Sequence, residues 1–464
     1  MKTYDIAILG AGPGGYVAAL YAARLGKKVC LIEQADLGGT CLNHGCIPTK
    51  IFSKAARTLS EIGKSKQFGI DVKDVRFDIR VLVKRKNDTV DKLRRGISHL
   101  LRSRGVETLS GKGELLDRDS LAVFSTQGWP KKKELVKAKS IIIATGSSEA
   151  VIPNLAPDKK KVLAAKDALD LDSVPKDVLI VGGGSIGCEM ASAFNAFGAH
   201  VTIIEAEGSL LPRGDDDVSK CLETAFKKKG IEVETGQSIE EVVSLDSAKA
   251  CLRSSSGRSF SADKVLLCSG RKPNVSSIDI EELGLKSSEK GIKVDNNLKT
   301  DVGNIYAIGD CIGEPMLAHA AMYEGVIAAR NICGHIVSVD YSAVPDCVFS
   351  DPDIALAGVT ENQASAKGMN VAVSRFHLRS LGKAHALGKT DGFVKLIADV
   401  KTNRIIGAAL IGEGATELIA EITLAIKKGL TAEDVAGTMH AHPTMSEAVM
   451  EAAYGVGGKV LHSA

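Results

Sequence analysis

Tyr4-Asp5-Ile6-Ala7-Ile8-Leu9-Gly10-Ala11-Gly12-Pro13-Gly14-Gly15 opens the chain and decides its fold. The apolar run reads as a buried strand, and the glycine-rich turn that ends it leads into an Ala-rich stretch, Val17 to Leu25, with the composition of a helix. Val29-Cys30-Leu31-Ile32-Glu33 reads as the next strand. Strand, Gly-x-Gly-x-x-Gly turn, helix and a terminal acid form a dinucleotide fingerprint. Gly10 permits the tight turn, Gly12 lets backbone approach a pyrophosphate, and Gly15 lets helix and strand pack closely. The helix start offers N–H groups and a positive dipole to phosphate, and Glu33 can accept from a ribose diol. The design recurs at Val178-Leu179-Ile180-Val181, followed by Gly182-Gly183-Gly184-Ser185-Ile186-Gly187, a helix-like stretch to Phe197 and the strand Val201-Thr202-Ile203-Ile204-Glu205. In both copies the acid lies 23 positions after the first glycine, from 10 to 33 and from 182 to 205. The chain therefore carries two dinucleotide folds, the second marked by Gly182, Gly184, Gly187 and Glu205.

A length of 464 residues suggests about three domains. With 44% hydrophobic and 25% charged residues, the chain has enough apolar surface to repay the entropy of folding. A net charge of +3 leaves no electrostatic footprint for nucleic acid, and 4% aromatics with Trp129 as sole tryptophan give no base-stacking platform. No apolar run reaches the ~18–20 residues of a membrane span. The N-terminus lacks a basic segment followed by an apolar one, so the chain is expected to work in the cytoplasm, or in a mitochondrion after removal of a leader. Ile141-Ile142-Ile143-Ala144-Thr145-Gly146 and Val265-Leu266-Leu267-Cys268-Ser269-Gly270 each read as a strand closing one nucleotide domain, and Asn304-Ile305-Tyr306-Ala307-Ile308-Gly309-Asp310 as a further strand ending in Gly-Asp. From about Tyr341 the texture changes to alternating segments such as Phe393-Val394-Lys395-Leu396-Ile397 and a helix-like stretch from Glu417 to Lys428, which reads as a separate α+β domain. The expected divisions are 1–148, 149–275, 276–340 and 341–464, and the basic runs at 131–133 and 158–161 read as solvated loops.

Ten cysteines in a chain this long are not a disulfide framework, and Cys30, Cys188 and Cys268 sit singly in apolar runs where cysteine packs as a small hydrophobe. Gly38-Gly39-Thr40-Cys41-Leu42-Asn43-His44-Gly45-Cys46-Ile47-Pro48-Thr49-Lys50 breaks that pattern. On a regular helix, cysteines five apart would have Cα atoms roughly 8–9 Å apart, beyond the ~7 Å reach of a disulfide. Pairing therefore requires a distorted turn, for which Gly45 and Pro48 are suited. The competing use is metal binding, for which a lone pair without a second CxxC or His pair is a poor zinc site.

Gly10-x-Gly12-x-x-Gly15, Gly39-Thr40-Cys41-x-x-x-x-Cys46-Ile47-Pro48-x-Lys50, Ala144-Thr145-Gly146, Gly309-Asp310 and the C-terminal His440-Ala441-His442-Pro443-Thr444 with Glu447 together resemble the flavin disulfide oxidoreductase family over essentially the whole chain. Within it the resemblance is to the dihydrolipoamide-oxidising branch. It implies an α/β architecture of two Rossmann-like dinucleotide domains and a C-terminal α+β dimerisation domain. FAD would be held by the first unit, with Glu33, Lys50, Gly113, Thr145, Gly146, Asp310 and Ala318, and NAD by the second, with Glu205 and Gly270. The resemblance also implies a redox disulfide in which Cys46 faces the flavin and Cys41 exchanges with substrate. It places Lys50 beside the flavin with Glu189 as its expected partner, and makes His442–Glu447 the catalytic dyad rather than the nearby His440. A thiol is a poor nucleophile at neutral pH, so a base fixed by a carboxylate suits the chemistry. Glu205, with no Arg in Glu205-Ala206-Glu207-Gly208, favours NAD over NADP.

The implied reaction is oxidation of protein-bound dihydrolipoamide by NAD⁺, with an NADH-linked reductase of another small disulfide as the alternative. The implied partners are a second copy of the chain, sharing each site between one subunit's disulfide and the other's His442, and lipoyl domains of 2-oxoacid dehydrogenase complexes or the glycine cleavage system. No metal is implied. Two positions depart from the family pattern: Ala318-His319-Ala320-Ala321 lacks its lysine, and His44 stands where an apolar residue is common.

Overall fold

The computed structural model describes residues 1–126, 133–245, 249–275, 284–458 and 460–462, so the first two positions of the 131–133 basic run lie outside the described residues. Two contact units divide the chain: residues 1–51, 81–150 and 270–340 form the first, and residues 52–80, 151–269 and 341–464 the second.

The first unit is built on a seven-stranded sheet. Lys2–Leu9 lies parallel between Val29–Glu33 and Lys133–Ile143, with Ile6 opposite Val29 and Ala7 opposite Ile141. Ile305–Ala307 joins Lys133–Ile143 in parallel and leads directly into the Gly309-Asp310 segment. Alternate residues of the central strands enter two different cores. Ile6, Ile8, Leu31 and Ile142 pack with Ala18, Ala22 and Ile327, whereas Tyr4, Ala7, Leu9 and Ile32 pack with Leu121, Val136 and Ile305. Burial on both faces is why these strands read as continuous apolar runs. Cys30 belongs to this interior, where burial pushes its thiol up to about 12.

The second unit holds a five-stranded parallel sheet in the order Glu232–Glu234, His200–Ile204, Asp177–Val181, Lys264–Leu267, Val162–Ala164. It also holds a five-stranded antiparallel sheet in the order Asp346–Val348, Ile354–Gly358, Ile405–Ile411, Phe393–Asp399, Val371–His377. Helices Ala415–Lys428, Ala432–Ala436 and Glu447–Val456 pack their apolar faces on the antiparallel sheet. The segment read as alternating, Phe393–Ile397, lies in the strand Phe393–Asp399, and Phe393 to Ala398 are all buried, so both faces of this strand are covered. Lys395 is only 1% exposed, and its ammonium meets Asp215 at 2.7 Å, Asp217 at 2.6 Å and Glu361 at 3.2 Å. Burial alone would push this ammonium down, but Asp215 and Asp217 outweigh it and hold Lys395 above the usual lysine range. Asp215 also caps helix Asp216–Lys228 by accepting from the N–H groups of Asp217 and Val218.

Among the described residues no helix is long and apolar enough to cross a membrane.

Candidate active site

The cysteine pair lies where two helices meet at a break. Gly39–His44 ends at Gly45, whose φ of −125° and ψ of −107° leave the helical region, and Cys46–Gly63 starts immediately afterwards. The break brings the two Cα atoms to 4.7 Å, and Cys41 and Cys46 are bonded as a disulfide. Pro48 sits in the first turn of the second helix, where its missing N–H costs no intrahelical bond. The Thr49 hydroxyl, one turn in, donates to the Gly45 carbonyl at 3.0 Å and secures the junction. The whole segment is pinned to the first glycine-rich turn. Gly38 N–H donates to Ala11 O at 2.9 Å, and a Cβ on Gly39 would come within 2.6 Å of Gly12 Cα. His44 is exposed within the loop, and Lys50 is half-buried one turn into the second helix.

The two glycine-rich turns are near-copies. A Cβ on Gly15 would collide with the Gly10 carbonyl, and one on Gly187 with the Gly182 carbonyl, so only glycine allows each helix to pass this close to its strand. Glu33 accepts from Ala11 N–H at 2.7 Å and Ala35 N–H at 2.8 Å. Glu205 accepts from Gly183 N–H at 2.5 Å and Glu207 N–H at 2.8 Å. Each carboxylate thus braces its turn and keeps lone pairs for a further donor. At Gly12 and Gly184 an added Cβ meets nothing within 4 Å, neither helix has a side-chain cap, and neither has an acid in its first turn. Open space in front of uncapped N–H groups suits a pyrophosphate at both turns, so the residues fit FAD at the first and NAD at the second.

Around the first turn, the Thr145 hydroxyl donates to Asn274 O at 2.8 Å, and Gly146 O accepts from Asn274 N–H at 2.9 Å. Asp310 accepts from the Ser147 hydroxyl, which in turn accepts from Arg271 Nε at 2.7 Å. Gly309 N–H donates to the buried Glu324 carboxylate at 2.6 Å. Ala318 starts the helix that carries Glu324. Gly113 lies on the strand Lys112–Leu115, where a Cβ would press on Leu9 and Ile32. Gly270, expected with the second turn, belongs to the first unit, where its carbonyl accepts from Ala150 N–H at 3.0 Å.

In the second unit His442 Nδ1 lies 2.7 Å from Glu447 Oε1, while Glu447 Oε2 accepts from Thr444 N–H at 2.9 Å. Burial would raise the Glu447 carboxyl, but the bonds from His442 and Thr444 outweigh it and hold it below the usual glutamate range. The His442 side chain is 79% exposed against 15% for Glu447, so an anchored carboxylate presents an accessible imidazole. Among the described residues the Nε2 of His442 has no hydrogen-bond partner. His440 differs: its Nδ1 lies 2.8 Å from Thr438 O and its Nε2 2.9 Å from Glu421. Glu189 is buried on helix Ser185–Ala196 and accepts from Phe349 N–H at 3.0 Å.

Residues 4–325 match the family model for pyridine nucleotide-disulphide oxidoreductases, and residues 344–453 match that family's dimerisation domain. The chain belongs to this family. A dihydrolipoyl dehydrogenase of Geobacillus stearothermophilus is 40% identical over 458 residues, covering 98% of this chain and 96% of the relative. One from Bacillus subtilis is 38% identical over 469 residues, covering 99% of each. Among solved structures, LpdA from Mycobacterium tuberculosis aligns with a TM-score of 0.90 at 27% identity, covering 98% of this chain and 99% of that one. The HOCl-induced flavoprotein disulfide reductase RclA from Escherichia coli aligns with a TM-score of 0.86 at 29% identity, covering 97% and 99%.

For a pyridine nucleotide-disulphide oxidoreductase, the sequence reading leaves out several residues that the structure gathers around the expected ones. Ser147 and Arg271 brace Asp310, Glu324 holds the Gly309 turn, and Arg94 reaches into the disulfide loop. None of these lies in a recognisable motif with the residue it supports. Only Glu324, a carboxylate on the largely apolar buried face of a helix, carries a local signal of burial.

Proposed function

We propose that the chain oxidises dihydrolipoyl groups with NAD⁺ through the Cys41–Cys46 disulfide. The observation that carries this reading is that disulfide, pinned against the first of two dinucleotide turns, in a chain 40% identical to a dihydrolipoyl dehydrogenase.

His442 takes the proton from one substrate thiol, with Glu447 holding Nδ1 so that Nε2 is the basic atom. The resulting thiolate attacks Cys41 Sγ, the Cys41–Cys46 bond breaks, and its electron pair leaves on Cys46. Cys46 is suited to that charge because it begins an 18-residue helix, whose N-terminal dipole favours an anion. The second substrate thiol then attacks the mixed disulfide. Lipoamide leaves, and the pair remains as a dithiol holding the two electrons. Lys50, one turn into the same helix, would help to hold FAD and supply positive charge to it. FAD on the first turn and NAD⁺ on the second supply, when bound, the two-electron chemistry that returns the pair to the disulfide. Glu205 favours NAD⁺, since a carboxylate accepts from a 2′-hydroxyl and repels a 2′-phosphate.

The working molecule is a homodimer in which each site combines one subunit's disulfide with the other subunit's His442. Its substrates are lipoyl domains of 2-oxoacid dehydrogenase complexes or of the glycine cleavage system, and its place of action is the cytoplasm. A panel of dihydrolipoamide with NAD⁺ or NADP⁺, and of glutathione disulfide with NADH or NADPH, tests the reading. Turnover of dihydrolipoamide with NAD⁺ should dominate. Preferential reduction of glutathione disulfide would instead assign the chain to reduction of small disulfides.

A further inference from the structure

Asn43 lies between the two cysteines and is 8% exposed. Every polar direction of its amide is used. Its Nδ2 donates to Leu37 O at 3.1 Å and Gly39 O at 2.9 Å, while its Oδ1 accepts from Arg94 Nε at 3.2 Å and Nη2 at 2.9 Å. Arg94 comes from the long helix Ile79–Ser103 and also reaches Asp36 at 3.3 Å and Asp91 at 3.3 Å. One side chain therefore ties together three segments: the loop after strand Val29–Glu33, the short helix bearing Cys41, and the long helix. Two donors from one planar guanidinium onto one oxygen fix direction as well as distance.

The short helix needs such a tie. Gly39–His44 has six residues, no side-chain cap at its start, and a break at Gly45. Helices this short do not hold themselves in water. While the disulfide is closed, the covalent bond to Cys46 restrains Cys41. Once the pair is reduced, that restraint is gone, and the hydrogen bonds of Asn43 remain.

Resting on the redox function proposed above, we infer that the Asn43–Arg94 contact is a positioning element that keeps the reduced Cys41 turn in closing geometry. Asn43 and Arg94 act through the backbone of the turn and carry no chemistry. Their effect is on the ring-closing equilibrium, in which the thiols of Cys41 and Cys46 react with oxidised dithiothreitol to give the Cys41–Cys46 disulfide and reduced dithiothreitol. Two electrons and two protons pass from the cysteines to the reagent. Preorganising the dithiol raises this equilibrium constant, and loosening it lowers the constant.

The test equilibrates full-length, flavin-loaded protein in buffers of graded oxidised and reduced dithiothreitol. Samples are acid-quenched and alkylated, and the Cys41 and Cys46 peptides are quantified by mass. In Asn43→Ala the closing constant should fall about tenfold, which moves the potential of the couple up by about 30 mV. Arg94→Lys, which lacks the planar fork, should move it several-fold in the same direction. The Asn43→Ala/Arg94→Ala double variant should go no further than Asn43→Ala, and kcat for dihydrolipoamide should fall more than KM changes. An unchanged closing constant in Asn43→Ala, with only a lowered thermal midpoint, would overturn the inference and leave Asn43 a purely structural residue. If Asn43→Ala does not fold, Arg94→Lys decides, and a wild-type constant there overturns it. Wild-type cysteines that do not exchange with the reagent at all would instead defeat the redox function itself.

Discussion

Replacing Glu447 with Gln tests how the dyad works, because it preserves shape and removes one charge. In the wild type the carboxylate is fixed by Thr444 N–H and meets His442 Nδ1 at 2.7 Å. When His442 takes a proton, the imidazolium and carboxylate charge centres stand ~4 Å apart, worth ~4 kcal/mol at an effective dielectric of 20. The imidazole is 79% exposed, so water screens much of this, and half is the defensible share. About 2 kcal/mol corresponds to roughly a 30-fold loss in kcat/KM for dihydrolipoamide with NAD⁺ at pH 8. NADH oxidation by an artificial acceptor, which needs no substrate thiol, should change less than about twofold. A loss under about threefold, or equal losses in both assays, would refute this account of the dyad. The same carboxyl is held below its usual range, so its contribution to stability is complete above the ordinary glutamate value and disappears as pH falls through the lower folded one. Wild type and Glu447→Gln should therefore differ in unfolding free energy at neutral pH and converge only once pH has fallen below the lowered folded value of this carboxyl.

Replacing Glu205 with an uncharged residue and adding an Arg nearby should raise the NADP⁺-to-NAD⁺ ratio of specificity constants by an order of magnitude or more; an unchanged ratio would locate ribose recognition elsewhere. Lys395→Met leaves the buried Asp215 without its counter-charge and should cost about 3–5 kcal/mol in denaturant unfolding, whereas a cost under about 1 kcal/mol would show that the ionic cluster carries little stability. Co-expressed Cys41→Ser and His442→Gln chains, each inactive alone, should regain roughly a quarter of wild-type activity, since half the dimers are mixed and each has one intact site of two. Verified mixed dimers without activity would sink the shared site.

The nucleotide turns were legible because the constraint is local. Gly15 must clear the Gly10 carbonyl five residues away, so the spacing itself records the contact. The strand Val29–Glu33 follows from its composition in the same way. The cysteine pair was legible as chemistry but not as geometry, because the break at Gly45 depends on the backbone angles of one residue. What stayed hidden involves partners far apart in sequence. Lys395 looks like the solvent-facing member of an alternating strand until Asp215 and Asp217, some 180 residues earlier, are brought to it. Arg94 lies on a helix dense in exposed charge, where nothing local separates it from Lys92 or Arg95. Asn43 reads as loop polarity until Arg94 arrives.

The most direct test of the central claim is a count of reactive thiols in a single turnover. One equivalent of dihydrolipoamide is added anaerobically to oxidised, flavin-loaded protein without NAD⁺, and the sample is acid-quenched and alkylated under denaturing conditions. Eight cysteines are free in the oxidised protein and should label throughout. The account predicts that Cys41 and Cys46 newly take label, and that adding NAD⁺ before the quench removes it with formation of NADH. NADH formed while Cys41 and Cys46 stay unlabelled at every stage would contradict it.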